Sequence, residues 1–350
     1  MSVSASQTIA SEYHRQTRRK IGRVGLFALA CLFGTLLDVL TGPAFLSPQA
    51  VLSTLIYGRE SDPMMAAIVF NVRLPMTVMA LVVGASLGVA GVEMQTILGN
   101  PLASPYTLGF SAAAGFGAAL AILVGIQLPL LAALTVPTVA FAFATFACLI
   151  VYALARARGV TSEIMILSGI ATLFLFQSAQ SLVQYLAAPE VLQQIVFWLF
   201  GSLLKATWTS VTISGLIFLF AVGALIPDFW RLTALRLGDE RVRSLGINVD
   251  RLRLRVFVLV SLLTAGAVAF VGTIGFVGLV APHLARMAVG EDQRFLVPAS
   301  GLAGAFVMVA ASVASKMISP GAIIPIGIVT AVVGVPFMFA LILKSRRSFW

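Results

Sequence analysis

Residues 84–115 read GASLGVAGVEMQTILGNPLASPYTLGFSAAAG, from Gly84 to Gly115, and this stretch decides the fold. Small apolar residues run up to Asn100-Pro101 and Pro105, where a helix must break, and the apolar chain then resumes. In hydrocarbon an unpaired backbone N–H or C=O costs several kcal/mol, so a break that faces lipid is not tolerated. A break at this depth faces protein or a water-filled path. It therefore points to a transport route.

The surrounding composition fits a lipid environment. Of 350 residues, 59% are hydrophobic and only 10% charged, with mean hydropathy +1.02. A soluble domain carries about 25% charged residues. The net charge of +10 does not imply nucleic acid, because the basic residues lie in gaps between apolar runs and not on one soluble face. Cys31 and Cys148 both lie inside apolar runs, read as small packing residues and offer no metal-ligand spacing. The polar lead MSVSASQTIASEYHRQTRRK precedes a run of span length with no small-x-small cleavage pattern after it. It reads as an N-terminal tail, not a signal peptide.

A crossing helix needs about 20 apolar residues. The sequence predicts an all-α, polytopic membrane protein with about ten transmembrane helices. The expected spans lie near 21–41, 66–92, 102–125, 128–154, 162–187, 207–227, 255–272, 275–289, 295–315 and 322–343. Residues 190–206 are apolar but short and read as interfacial or re-entrant. With the N-terminus inside, only Arg59, Arg73, Lys205 and Lys316 of the 23 Lys and Arg fall outside. That bias predicts both termini cytoplasmic, with 1–20 a cytoplasmic tail and 21–345 one transmembrane domain.

Gly91, Gln95 and Pro101 share their offsets with Gly272, Phe276 and Pro282. An odd number of expected spans separates the sets, so they would run in opposite directions, as in two inverted-repeat-like halves. Chance recurrence is the other reading, since Gly and Pro are frequent in membrane helices. The polar segment 231–255 reads RLTALRLGDERVRSLGINVDRLRLR. Asp239 can cap a short helix and Gly246 can end it, with Val242 and Leu245 on one face between them. Such a helix suits a partner's groove. An ordinary charged loop held at lipid head groups is the alternative.

These stretches resemble a known family. Arg73-Leu74-Pro75, Gly84-Ala85, Gly91, Gln95, Asn100-Pro101-Leu102-Ala103-Ser104-Pro105 and Leu108-Gly109 look like the second and third spans of iron-siderophore and cobalamin ABC importer permeases. The run GTIGFVGLVAPHLAR from Gly272 to Arg286 resembles their second signature, and GDERVRSLG from Gly238 to Gly246 their coupling helix. Pro325 to Thr330, Gly334 and Pro336-Phe337 resemble their last span. The resemblance implies a single ten-helix permease domain over 21–345 in the bacterial cytoplasmic (inner) membrane, with 231–255 as its cytoplasmic coupling segment. It also implies a second permease subunit, same or related, two cytoplasmic ATPases and an extracytoplasmic substrate-binding protein. The chain carries no G-x-x-x-x-G-K-[ST] loop, so ATP hydrolysis belongs to a partner and the chain is not an enzyme.

By the same resemblance Asp239, Val242, Leu245 and Gly246 couple to the ATPase. Arg73 and Lys316 receive the binding protein, and Asn100, Pro101, Thr161 and Ser162 lie at the path or its gate. The sequence departs from the family pattern at Met76, Gly99, Ser312, Lys316 and Ile323, where Arg, Arg, Asp, Arg and Glu are usual. Lys lacks the bidentate fork of Arg, so docking geometry at Lys316 would differ.

Bland readings stand beside these. Asn100 can satisfy backbone freed at Pro101, and Thr161 can cap the helix that follows. Glu93 sits near enough to the inner interface to be solvated. His283 is a lone histidine and a poor metal site, and Met64, Met65, Met76, Met79 and Met94 suit adaptable packing. No cofactor or bound metal is expected. The expected cargo is a metal chelate, a ferric siderophore first, with cobalamin or haem as related cargoes. An ion-coupled secondary transporter is the alternative. An intramembrane enzyme lacks a serine–histidine or histidine–carboxylate set.

Overall fold

The computed structural model describes residues 2–42, 46–58, 62–128, 132–318 and 323–344. Arg59, Arg346 and Arg347, which enter the charge count, lie outside them. The regular elements of the described chain are all helices. Its helices are α1 (Ser2–Leu40), α2 (Pro48–Tyr57), α3 (Pro63–Ile68), α4 (Leu74–Leu98), α5 (Phe110–Val124), α6 (Thr135–Arg158), α7 (Ser162–Leu186) and α8 (Pro189–Leu199). They continue as α9 (Trp208–Leu225), α10 (Phe229–Ala234), α11 (Asp239–Ser244), α12 (Val249–Val271), α13 (Val277–Val289), α14 (Gln293–Met317) and α15 (Ile326–Lys344).

Among the described residues, seven helices are long and apolar enough to cross a membrane, and three shorter apolar ones cover 110–124, 277–289 and 326–340. The expected span 102–125 is shortened because turns occupy 100–109. The expected tail 1–20 is no separate element; α1 runs through it. Two short helices escaped the hydropathy reading. Ser47-Pro48 and Asp62-Pro63 each place a capping side chain before a proline at the first helical position.

α4 sits at the centre. It is apolar all round and buried almost throughout, as such a helix must be. Its closest partner is α14. A Cβ added to Gly84 would lie 2.3 Å from the Gly304 carbonyl oxygen, and one added to Gly88 would lie 2.2 Å from that of Ser300. Only small residues let two backbones meet this closely, and close backbone contact is what holds membrane helices together. Gly91 meets α13 in the same way, its added Cβ 1.9 Å from the Gly278 carbonyl oxygen. α12 is also an inner helix, with 72% of its apolar window buried, whereas α1 is peripheral at 22%.

The matching offsets of Gly91 and Gly272 do not mark equivalent structure. Gly91 lies inside α4, while Gly272 ends α12 at φ +78°. Pro101 lies in a turn, and Pro282 lies inside α13.

Candidate functional site

The break after α4 pairs its own backbone, as lipid requires. Gly99 ends the helix in a left-handed conformation (φ +58°), which favours glycine. The Asn100 side-chain oxygen accepts from Leu102 N–H at 2.9 Å, and Ala103 N–H donates to the Asn100 carbonyl at 3.1 Å. Ser104 and Thr107 close the next turn between themselves. Asn100 thus holds the turn in which Pro101 sits.

Arg253 gathers this end of the bundle. Its Nε donates to the Ile97 carbonyl at 2.8 Å, at the end of α4. Its terminal nitrogens reach both Asp239 oxygens at 2.7 and 2.9 Å, the Val160 carbonyl at 3.3 Å and Ser162 Oγ at 3.5 Å. One planar fork therefore joins α4, α11, α12 and the start of α7. Sequence reasoning missed it, although a signal exists. Val249, Leu252, Arg253 and Val256 fall on one helical stripe, and all four are buried. Beside Arg253, Arg286 donates to Gln95 Oε1 at 2.9 Å and pairs with Glu291 at 3.0 Å. These groups line an open cavity of about 760 Å³ that also takes in Asn100, Asp239 and His283.

The short helix expected before Gly246 forms, with corrections. Asp239 does not cap it; Gly238 holds the N-cap position with no side-chain bond, and the Asp239 carboxylate goes to Arg253. Val242 and Leu245 do not share an exposed face. Val242 is fully buried in the core and anchors the helix, while Leu245 is 54% exposed. Three residues apart in so short a helix, the second falls beyond its last turn. Gly246 ends the segment at φ +80°, as read. Thr161 is the N-cap of α7, its hydroxyl accepting from Ile164 N–H at 3.3 Å.

Arg73 and Lys316 lie at the opposite end of α4, about 37 Å away at 1.5 Å per residue over its 25 residues. Both are buried. Lys316 Nζ is 2.7 Å from Asp38 Oδ1 and 3.0 Å from the Asp38 carbonyl, and Thr77 donates to Oδ2 at 2.5 Å. Arg73 ends a π-helical turn, Val69–Arg73, and donates to the Val39 and Leu40 carbonyls at 3.0 Å. The docking expectation thus meets two buried cations: Lys316 is paired with Asp38, and Arg73 rests on two backbone carbonyls with its other terminal nitrogen unbonded. The signal for Lys316 was its place on the buried stripe with Met308, Ser312 and Ser315.

Glu93 is not solvated as expected. It is fully buried and neither oxygen has a hydrogen-bond partner. Asp228, also fully buried, is paired with Arg231 at 2.9 Å and Arg255 at 3.2 Å. Among the described residues no cluster of three or more His, Cys, Asp or Glu could hold a metal ion.

Through Arg253 the bundle ties the turn after α4 and the start of α7 to one small helix. Comparison with known proteins decides its kind: residues 30–344 match the FecCD transport family. The chain belongs to the FecCD transport family. It is 33% identical to a Fe(3+)-citrate import system permease protein of Bacillus subtilis, over 95% of this chain and 98% of the relative. It is 36% identical to a molybdate import system permease protein of Haemophilus influenzae, over 83% of this chain and 85% of the relative. A solved metal-chelate type ABC transporter in an inward-facing conformation matches with TM-score 0.82 and 32% identity, over 92% of this chain and 99% of that one. The FecCD chain is a multi-pass permease subunit of an ABC importer, and ATP hydrolysis lies in separate subunits.

Proposed function

We propose that this FecCD permease carries a metal chelate inward, a ferric siderophore or similar iron chelate first, with haem and cobalamin as related cargoes. The proposed setting is the bacterial inner membrane with both termini cytoplasmic. A second copy or a related permease would complete the path, two ATPases would dock at α11, and a binding protein would deliver cargo to the far end. Likeness to the iron-citrate permease supports an iron chelate; likeness to the molybdate permease keeps an oxyanion as the second cargo.

The observation that carries the mechanism is the Arg253 fork. ATPase closure against exposed Leu245 would displace α11. Through Asp239 and Arg253 that displacement would reach the Ile97–Pro101 turn and the Thr161-Ser162 cap together. Those two segments are the proposed inner gate, and rigid-body motion opens and closes it. Asp239, Val242, Leu245 and Gly246 form the proposed coupling set: tie, anchor, contact and stop.

The test is reconstitution with the ATPase and binding protein in liposomes. Uptake of ferric trihydroxamate or ferric citrate should require ATP and should survive an ionophore. Uptake of molybdate alone would replace the chelate reading. Uptake without ATPase that collapses with an ionophore would favour ion coupling. Leu245→Asp should abolish ATPase coupling, because an apolar docking surface does not accept an unpaired charge. Wild-type uptake in that variant would refute the α11 assignment.

A further inference from the structure

Three interruptions of helix meet at one place within the bundle. Ser202 N–H donates to the Val271 carbonyl at 2.7 Å, Ile326 N–H to Gly201 at 3.0 Å and Gly327 N–H to Phe200 at 3.1 Å. Thr273 Oγ1 donates to the Leu199 carbonyl at 2.5 Å. The ends of α8 and α12 and the start of α15 are thus laced together by non-helical backbone, which a membrane protein tolerates where it is paired or lines a cavity.

Phe276 lies in this knot. Among the described residues it is the single non-glycine with positive φ, at φ +67° and ψ −31°. Val277 N–H donates to the Gly275 carbonyl at 2.9 Å, closing a γ-turn of the rare positive-φ kind around Phe276. Strained turns persist where their surroundings over-determine them, and they cluster at clamps and switches. The surroundings here are α15: a Cβ on Gly334 would lie 2.4 Å from Phe276 Cβ and 2.6 Å from its Cγ.

The side chain held in this way lines two cavities. One, of about 650 Å³ and open on one side, is lined by Ser104, Tyr106, Thr107, Phe200, Thr273 and Val332 among others. It holds hydroxyls and aromatic rings and no charged side chain. The other, of about 300 Å³, is almost wholly apolar and includes Val280, Phe306, Ala311 and Phe337.

We propose that the hydroxyl-and-aromatic cavity is a cargo subsite for a bulky, charge-delocalised solute, and that Phe276 is its movable wall. The proposal rests on the permease reading above. A wall without cations binds a chelate through ring faces and hydroxyls, weakly enough for release, and offers a bare oxyanion no counter-charge. Shifting α15 at Gly334 removes what holds the γ-turn. The ring then swings into the apolar cleft behind it, and the subsite widens. Phe276 thereby sets the size of cargo that passes.

The experiment uses the full transporter in liposomes. Ala311→Cys places a thiol behind the wall, and its rate with a charged, water-soluble methanethiosulfonate is compared with and without Phe276→Gly. Glycine adopts the turn freely, so the backbone is kept. The double variant should react at least tenfold faster, and Phe276→Gly alone should lower ferric trihydroxamate uptake per ATP about fivefold or more. Gly334→Ala presses on the ring and should lower uptake while leaving Ala311→Cys unreactive. It also carries the test if Phe276→Gly fails to assemble. Equal thiol rates would overturn the wall. Faster labelling with unchanged uptake per ATP would overturn its place on the path. Labelling is independent of cargo, so a wild-type transporter that imports no chelate would refute the chelate reading and leave the wall to be decided by the thiol rates.

Discussion

Replacing Lys316 with Met removes the cation facing Asp38. The two side chains are 2% and 0% exposed, 2.7 Å apart. Breaking a buried pair by removing one partner costs about 3–5 kcal/mol, because the other charge is left uncompensated. Thr77 still donates to Asp38, which keeps the loss near the lower bound, at about 3 kcal/mol. At roughly 2–4 °C per kcal/mol, thermal unfolding of the purified protein in detergent should fall by about 6–12 °C. Asp38→Asn should cost a similar amount. The double variant should cost about 4 kcal/mol where additivity would give about 6, an interaction energy of about 2 kcal/mol. Binding-protein affinity should change little in any variant, because neither charge is presented to a partner. The reasoning is refuted if Lys316→Met melts like wild type and instead loses binding-protein affinity in a salt-dependent way. That pair of results would return Lys316 to the docking surface.

Three further outcomes follow from the packing. Arg253→Met should leave ATPase subunits bound but lower cargo moved per ATP by about tenfold, since α11 loses its tie to both gate segments; a wild-type ratio in the reconstituted transporter would remove Arg253 from the mechanism. Gly91→Leu should prevent assembly, costing more than about 4–5 kcal/mol because its Cβ would overlap the Gly278 carbonyl, and a monodisperse peak at wild-type yield would contradict the helix contact. Asp292 is held below the ordinary carboxylate range by its hydrogen bond from Arg294. Its folded pKa is the lower one, so its contribution is complete above about pH 3.9 and lost as pH falls through the folded value. Asp292→Asn should therefore flatten the acid fall of the melting temperature below about pH 4, and an unchanged slope would exclude it.

Hydropathy and breaker residues suffice to read the long apolar helices, the break at Asn100 and the short helix before Gly246. These are local properties, carried by runs of neighbouring residues. Asp38 and Lys316 are 278 positions apart, and no local pattern pairs them. Its charge and its place in the family pattern made Lys316 read as a docking group. Arg253 sits in RLRLR, where one arginine of three turns inward. The helical stripe could have selected it, but its partners at Ile97 and Val160 could not be read. Val242 and Leu245 were placed on one face by spacing, and the helix proved too short to keep them there. Glu93 was misjudged because depth along a span says nothing of which neighbours surround it.

The seam between α4 and α14 has a mechanical consequence. Where Gly84 and Gly88 meet Gly304 and Ser300, no side chain separates the two backbones. There is no rotamer to yield and little free space to absorb a slide. The two helices therefore act as one strut, with Arg253's contacts at one tip and the Asp38–Lys316 pair at the other. A push delivered at α11 travels along such a strut without being dissipated. Compliance in this permease has to come from elements hung around the strut, among them the laced breaks of α8, α12 and α15.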